Sequence, residues 1–337
     1  MATIKDVAKL AGVSVATVSR VINNSPKASK ASVQSVTTAM KSLGYRPNAN
    51  ARALVSQSTN TIGVLVSDVA DPFFGSLVGA VDKVARENGK HILIGNGYHD
   101  REQERQAIEL LINSRCESLV IHAKGLTDEE LIDYANEVKG LVVINRHIDA
   151  ISSRCISLDN YKGAYLATEY LLKQGHTQIA CIASSHAISD TEERINGYKD
   201  ALTDHNQVLP EHYTEFGNPN NQGGEAAMTN LLAKSLPITA VVAYNDYMAA
   251  GAMSILDENH LSTPEDISII GFDDGLIARY VKPRLTTIRY PVELMAEKAT
   301  ELALRLASDA PISEHPLRFS PTLVKRDSVS PIKYRVG

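Results

Sequence analysis

Five polar residues stand at the ends of short apolar runs that are rich in β-branched side chains: Asp68, Asn96, Asn145, Asn245 and Asp273. Runs of this kind are typical of buried β-strands. In open α/β folds, ligands bind at the carboxyl ends of parallel strands, where such residues meet. Carboxylates and amides are hydrogen-bonding groups, so the spacing predicts a site for a polar small molecule.

Catalytic and cofactor motifs do not accompany these residues. The stretch "IGNGYHD" has G-x-G without the third glycine or the helix-opening context of a dinucleotide site. The ten histidines form no H-x-x-x-H pair, and no G-x-S-x-G elbow is present. We therefore expect no metal, no cofactor and no enzymatic activity.

The elements that position the polar residues alternate between strand and helix. Helix-like segments of about 12 to 20 residues separate seven apolar runs: "TIGVLVSD", "HILIGN", "SLVIHA", "GLVVINR", "QIACIAS", "AVVAYND" and "ISIIGFDD". This alternation predicts α/β structure with parallel sheets and crossover helices on both faces. Seven strands exceed one comfortable sheet, so the pattern favours a two-lobed, doubly wound body.

The first 60 residues differ in charge from the rest of the chain. They hold eight basic residues and a single acid, Asp6, which gives +7, whereas the remainder carries −12. A small basic head on an acidic body indicates that only the head meets a polyanion.

Three helices are predicted in this head. Thr3 caps the first, with Ile4, Val7, Ala8 and Leu10–Ala11 on one face, and Gly12 ends it. Ser14 caps the second, whose predicted apolar stripe is Val15, Val18, Val21 and Ile22. The third runs from about 32 to 43, and "ANARALVSQ" is a conditional fourth, too short to hold together alone.

Two short helices joined by a tight turn at "AGVS" make a helix-turn-helix, whose second helix enters the DNA major groove. Arg20 suits guanine, Thr17 and Ser19 suit phosphates, and Val15 and Ala16 suit thymine methyl groups or DNA shape. The alternative is a plain three-helix packing module with an incidental positive face, which the +7 charge disfavours.

The stretches "TIKDVAKLAGVSVATVSRVINN" and "YRPNANARAL" resemble the head and hinge of the lac-repressor family of bacterial transcription regulators. The resemblance continues through "DPFF", "GYKDAL", "YNDYMAAGAM", "ISIIGFDD" and "PRLTTIRYP". The stretches "INNSPKAS", "ILIGNGYH" and "ERQAIE" are most similar to galactose-responsive members. The resemblance implies a homodimer that binds near-palindromic double-stranded operator DNA.

The resemblance also implies a domain organisation. It divides the chain into a helix-turn-helix domain (1–46), a hinge helix and linker (47–60) and an effector-binding body (61–337). Lobe one would take about 61–160 and 290–320, and lobe two about 161–289 and 321–330. In the hinge, Leu54 would wedge into the minor groove. The implied DNA-binding set is Thr3, Ser14, Val15, Ala16, Thr17, Ser19, Arg20, Asn23, Asn48, Asn50, Arg52 and Leu54.

Two-lobed bodies of this kind resemble periplasmic sugar-binding proteins, which implies a sugar effector with D-galactose as the first candidate. Carboxylates, amides, guanidinium groups and an aromatic face suit such a ligand. The implied ligand-binding set is Asp71, Phe73, Asn145, Arg146, Arg194, Asn245 and Asp273. Some relatives stack an aromatic residue on the effector where Pro219 stands here, and Phe216 is a possible substitute.

The combined prediction is a repressor of sugar catabolism and transport genes that the sugar releases from its operator. A regulator of the same family that answers to ribose, another sugar or a purine is the nearest alternative. A sugar-transport receptor is disfavoured by the basic head and by the absence of a signal-peptide pattern. The three cysteines, far apart and odd in number, are expected to be reduced thiols, and the protein is expected to be cytoplasmic, away from membranes.

Overall fold

The computed structural model describes residues 2–23, 25–45, 59–208, 210–312 and 317–332. The chain divides into two compact units: a head, residues 1–61 with 114–116, and a body, which is the remainder. Each unit has its own buried core.

The head contains three helices, α1 (Ile4–Ala11), α2 (Val15–Ile22) and α3 (Lys30–Ser42). Thr3 and Asp6 form a capping box, in which the Asp6 carboxylate accepts from the Thr3 amide at 2.8 Å. Gly12 ends α1 with a φ of 66°, in the left-handed region that glycine adopts without strain. The predicted caps of α1 are therefore confirmed. They could be predicted because a capping box joins residues only three positions apart.

Two details of the predicted apolar stripes are wrong. Val7, Ala8, Val18 and Val21 are buried, but Leu10 is 55% exposed and Val15 is 41% exposed. Val15 is the first residue of α2, and its side chain therefore precedes the part of the helix that packs on α1 and α3. Helix α2 therefore contributes Val18 and Val21 to the buried core of the head, beside Val7 and Ala8 of α1.

The body contains two six-stranded sheets. The first has the order β11-β5-β4-β3-β1-β2 and the second the order β12-β10-β9-β8-β6-β7. The first sheet is built from β1 (Thr61–Val66), β2 (His91–Asn96), β3 (Ser118–Ile121), β4 (Leu141–Ile144), β5 (Cys155–Leu158) and β11 (Leu317–Phe319). The second is built from β6 (Ile179–Ser184), β7 (Thr214–Gly217), β8 (Ala240–Ala243), β9 (Ser268–Asp273), β10 (Thr286–Arg289) and β12 (Thr322–Val324).

All seven predicted strands are present. The five others, β5, β7, β10, β11 and β12, have three or four residues each, and none contains more than two apolar residues in a row. The prediction of parallel sheets needs one correction, because β12 pairs with β10 in the antiparallel direction. A single antiparallel edge strand on an otherwise parallel sheet is common in doubly wound folds.

Helices cover the sheets. In the first lobe α4 (Pro72–Glu87) packs against α12 (Val292–Ala307), and in the second lobe α7 (Asn160–Lys173) packs against α8 (Ser189–Asp204). The remaining body helices are α5 (Arg101–Asn113), α6 (Asp128–Glu137), α9 (Asn221–Ala233), α10 (Asp246–Glu258) and α11 (Leu276–Tyr280), with 3-10 turns at Asp149–Arg154 and Glu211–Tyr213.

The chain passes between the two sheets three times, after Leu158, after Arg289 and after Phe319. Helix α8 is held close to α7 by Gly197, since a Cβ there would lie 2.2 Å from the Tyr161 carbonyl oxygen. This close packing fixes α8, which carries two of the buried charges described below.

Candidate functional site

A cavity of about 540 Å³ lies between the two lobes of the body, at the carboxyl ends of strands from both sheets. The residues that line it include Asp68, Asp71, Phe73, Phe74, Tyr98, His99, His122, Asn145, His186, Asp190, Arg194, Pro219, Tyr244, Asn245, Tyr247, Asp273 and Tyr290. Six of the seven predicted ligand-binding residues are among them.

The loop after β1 supplies a carboxylate and an aromatic wall. Asp71 caps α4, and its Oδ1 accepts from the Phe73 amide at 2.9 Å. Burial raises the pKa of Asp71, although the same amide works against that rise. The Phe73 ring stands edge-on to Tyr290, with centroids 5.0 Å apart, and this pair offers apolar surface to the C–H face of a ligand.

Arg194, on α8, is held rigidly. Its Nε donates to Asn160 Oδ1 at 3.0 Å and its Nη1 to the Tyr244 carbonyl at 2.6 Å. The guanidinium also lies 3.6 Å from the centroid of the Phe272 ring. These contacts fix the plane of a buried positive group at the cavity wall, which suits charge-assisted hydrogen bonding to a polar ligand.

Asp273 ends β9 with a φ of 115°, a conformation that costs free energy outside glycine. Among the described residues none donates a hydrogen bond to its carboxylate. Burial raises the pKa of Asp273 well above its usual range, while nearby Arg194 opposes that rise. The Asp273 carboxylate therefore lies at the cavity wall without a protein donor, and it can accept hydrogen bonds from the hydroxyl groups of a ligand.

Asn245 has a different task from the one its position suggested. Its Oδ1 accepts from the Met248 amide at 2.8 Å and its Nδ2 donates to the Pro219 carbonyl at 2.9 Å. Asn245 thus caps α10. Asp246 lies behind the cavity wall, where its carboxylate accepts from the Gly275 amide and from Thr287, and burial raises its pKa to about 7.

An ion pair that the sequence did not reveal joins the lobes. Lys124 Nζ, after β3, lies 2.6 Å from Asp190 Oδ1 on α8, and the two side chains are 1% and 8% exposed. Asn145 Nδ2 donates to the other Asp190 oxygen at 2.7 Å. Although burial works to raise it, the pKa of Asp190 is lowered by Lys124 and Arg194, so the carboxylate is charged at neutral pH.

Two expectations for the cavity are wrong. Arg146 does not line it: its guanidinium donates to the Leu126 carbonyl at 2.8 Å and pairs with Asp128 at 2.6 Å. The left-handed φ of Asn145, 59°, turns the chain at this point, so that neighbouring side chains diverge. Phe216 is 55% exposed and outside the cavity wall, and it cannot replace the aromatic residue missing at Pro219.

Sequence reasoning also missed three cavity histidines, His99, His122 and His186, and four tyrosines, Tyr98, Tyr244, Tyr247 and Tyr290. His99 and His122 stand in the strand-end stretches "HILIGNGYHD" and "SLVIHA", but their spacing matches no metal-binding motif. The signal available was their position after a strand, not their spacing.

In the head, α2 and its cap expose short side chains and one arginine. Ser14, Val15, Ala16 and Arg20 are exposed, and Thr17 and Ser19 are half-buried. The Ser14 hydroxyl accepts from the Thr17 amide at 3.1 Å and also bonds the Thr17 hydroxyl. The exposed predicted residues Thr3 and Asn23 lie immediately before α1 and after α2, whereas Asn48, Asn50, Arg52 and Leu54 lie outside the described residues.

Comparison with known proteins identifies the architecture. Residues 3–48 match the model of bacterial regulatory proteins of the lacI family, and residues 168–329 match a periplasmic binding protein-like domain. The chain is 56% identical to the HTH-type transcriptional regulator GalR of Escherichia coli (strain K12), over 98% of this chain and 96% of that protein. It belongs to the lacI family.

Other members of the lacI family are similar to this chain in sequence and in fold. The HTH-type transcriptional regulator GalS of Salmonella typhimurium is 51% identical over 98% of this chain and 97% of its own length. The crystal structure of the lac repressor dimer bound to operator and the anti-inducer ONPF superposes with a TM-score of 0.85. That match has 28% identity and covers 98% of this chain and 99% of the other. The fold predicted from the alternation of strands and helices is thus confirmed.

The described part of this lacI-family chain contains neither a membrane-spanning helix nor a cluster of metal-binding side chains. No helix there is long and apolar enough to cross a membrane. Within the same ranges no group of three histidine, cysteine or acidic side chains is arranged to hold a metal ion. All three cysteines are free thiols, with Cys155 and Cys181 buried and Cys116 half-buried.

The cap of α2 gives a stability prediction for the head. Ser14→Ala removes the acceptor of the Thr17 amide and is expected to cost about 1 kcal/mol of head stability. Hydrogen exchange of the α2 amides in the full chain measures this loss of stability. Ser14→Asp, which keeps a capping oxygen, should restore wild-type protection, and equal exchange in Ser14→Ala and wild type would contradict the role of the cap.

Proposed function

We propose that this protein is a sequence-specific repressor of galactose catabolism and transport genes, and that D-galactose binding releases it from its operator. The body cavity carries the proposal. It combines an acceptor without a protein donor, Asp273, a fixed guanidinium, Arg194, and the aromatic wall of Phe73 and Tyr290. These are the groups that hold a sugar ring by its hydroxyls and its C–H face.

The choice of galactose among sugars rests on likeness to GalR and GalS, which extends over nearly the whole chain. In the cavity, we infer that Asp71, Phe73, Asn145, Arg194 and Asp273 contact the sugar, with Asn245 holding the wall in place. A regulator of this kind works where the chromosome is, in the cytoplasm, as a homodimer on a near-palindromic site.

In the head, we infer that Val15, Ala16, Thr17, Ser19 and Arg20 face the major groove, with Thr3, Ser14 and Asn23 on the flanking backbone. The first helical turn of α2 exposes small side chains, which allows close approach to base edges. The basic head supplies the phosphate contacts that position it. Asn48, Asn50, Arg52 and Leu54 remain part of the proposed DNA contact set.

The test is a two-step binding experiment on the full chain. Operator duplexes are first selected from genomic fragments, and their affinity is then measured by fluorescence anisotropy at a fixed salt concentration. D-Galactose, D-glucose, D-ribose and hypoxanthine are added in turn. We expect only galactose to lower operator affinity, by about tenfold or more. A shift with ribose or hypoxanthine but not with galactose would contradict the galactose assignment.

Arg20 gives the corresponding prediction for DNA. Arg20→Ala is expected to weaken binding to the selected operator by about tenfold, since one bidentate base contact contributes about 1–3 kcal/mol. Binding to an unrelated duplex should fall much less. Lys41→Ala, which removes an exposed charge from the last turn of α3, is the matched control. Equal losses on both duplexes would show that Arg20 contacts phosphate and not a base.

A further inference from the structure

Three histidines surround one part of the body cavity. His99 follows β2 and His122 follows β3, both in the first lobe, and His186 follows β6 in the second. The His99 ring centroid lies 5.7 Å from that of His122 and 5.2 Å from that of His186. We call this group the histidine cluster. It spans the cleft between the lobes.

Two nitrogens of the histidine cluster have no protein partner. Nδ1 of His99 and Nδ1 of His122 are buried without a hydrogen bond to any described residue, and His122 is only 3% exposed. His176, another buried histidine, shows the usual arrangement: its Nδ1 bonds Thr239 Oγ1 at 3.0 Å and its Nε2 bonds the Ser330 carbonyl at 2.9 Å. Since buried polar groups are nearly always paired, the two open nitrogens point to a ligand that completes them.

The backbone supports this interpretation. His99 has a φ of 55°, in the left-handed region, and the preceding Tyr98 has a φ of 51°. Non-glycine residues held in this region cost free energy and cluster at functional sites. The turn after β2 is thus bent in a way that brings the His99 ring toward the cavity, beside Phe74.

The charges around the histidine cluster define the ligand class. Burial lowers the pKa of all three imidazoles, and it lowers that of His99 to about 4. For His99 and His122, the positive charge of Lys124 lowers the pKa further, whereas the negative charge of Asp190 works in the opposite direction. At neutral pH each ring therefore offers one donor and one acceptor. The other ionisable groups of the cavity are Asp68, Asp71, Tyr98, Asp190, Arg194, Tyr244, Tyr247, Asp273 and Tyr290.

Four of these groups are carboxylic acids. In the described part of this site the only cations are Arg194 and the nearby Lys124, and Lys124 is already paired with Asp190. A phosphate or carboxylate on the ligand would meet this excess of acceptors, and among the described residues of the site Arg194 would be its one cation without a carboxylate partner. Hydroxyl groups, which both donate and accept, match neutral imidazoles and free carboxylates.

We propose that the histidine cluster is a recognition surface for the hydroxyl groups of an uncharged sugar and that it excludes the phosphorylated form of the same sugar. The Nδ1 atoms of His99 and His122 bond hydroxyls from the first lobe, and His186 approaches the same ligand from the second. This inference rests on the proposed function and adds the residues that decide between sugar and sugar phosphate.

Isothermal titration of the full chain tests the proposal, with D-galactose and D-galactose 6-phosphate as probes. We expect the wild type to bind the phosphate at least about 100-fold more weakly than galactose. His122→Phe and His186→Phe should each weaken galactose binding by about tenfold, the loss of roughly one hydrogen bond. His91→Phe, at the exposed start of β2, is the control and should bind as the wild type does.

Unfolding midpoints separate recognition from a structural role. His122→Phe removes a buried nitrogen without a partner and places an apolar ring beside Phe74, whose centroid is 4.8 Å from that of His122, so its midpoint should equal or exceed that of the wild type. Weaker galactose binding together with an unchanged midpoint supports the proposal. Should His122→Phe fold poorly, the half-exposed His186→Phe decides the matter alone.

Two results would overturn the proposal. The first is wild-type affinity for galactose in both phenylalanine variants, and the second is comparable wild-type affinity for galactose and its 6-phosphate. Either result leaves the proposed function standing. A wild type that binds no sugar at all would instead contradict the proposed function, and the role of the histidine cluster with it.

Discussion

Asp190→Asn is expected to lower the free energy of unfolding of the body by about 3–5 kcal/mol, because it leaves the Lys124 ammonium buried without its counter-ion. Lys124 is 1% exposed and its nitrogen lies 2.6 Å from Asp190. The folded-state pKa of Asp190 is below its usual value. The contribution of the carboxylate is therefore present above about pH 4 and is lost as the pH falls through the folded pKa.

Urea denaturation at pH 7.5 measures this effect, with Asp128→Asn as the control. Asp128 pairs with Arg146 at the same distance of 2.6 Å, but its side chain is 50% exposed, so its removal should cost less than about 1 kcal/mol. The double variant Lys124→Met, Asp190→Leu should recover much of the loss, since neither charge remains buried. Equal effects of Asp190→Asn and Asp128→Asn would show that burial of the pair adds nothing.

Asp273→Asn is expected to act on binding and stability in opposite directions. Galactose affinity should fall by about 100-fold or more, because the hydroxyl donors of the bound sugar would stabilise the charged form of Asp273, and hydrogen bonds to charged groups contribute about 1.5–3 kcal/mol each. Asparagine cannot carry that charge and has one acceptor oxygen fewer. The folded protein should become slightly more stable at neutral pH. Burial raises the pKa of Asp273, which means that its charged form is disfavoured in the fold.

The substitution suits this position, since asparagine tolerates a positive φ better than most residues do. Asp309→Asn is the matched control: it makes the same change at a left-handed φ of 57°, on an exposed residue outside the cavity. Titration calorimetry and urea denaturation of both variants give the two readouts. A stable Asp273→Asn variant with wild-type galactose affinity would exclude Asp273 from sugar binding.

The local features of this protein follow from the sequence itself. The caps of α1 and α2 at Thr3 and Ser14 join residues three apart, and Gly12 ends α1 through its own backbone freedom. The seven strands were recognisable because each contains several apolar residues close together, and in all but the partly exposed β2 nearly every residue is buried. The placement of Asn145 and Asp273 at the carboxyl ends of strands follows from the same periodicity.

Short elements at the sheet edges were not predictable in this way. Strands β11 and β12 have three residues each, and partly exposed positions blur their pattern. Likewise, Arg146 stands at the carboxyl end of a strand as Asp273 does, yet its side chain is held by the Leu126 carbonyl and by Asp128, the first residue of α6. No local rule distinguishes these two outcomes, because each is decided by which loop packs beside the strand end.

The sequence by itself therefore determined the helices of the head, the seven main strands and six residues that line the cavity. Only the tertiary structure decided which side chains meet across the cleft. Lys124 and Asp190 are 66 positions apart, and His99 and His186 follow strands that belong to different sheets. Their contacts exist because the chain crosses three times between the lobes, and the free energy of such contacts depends on burial, which no spacing along the chain records.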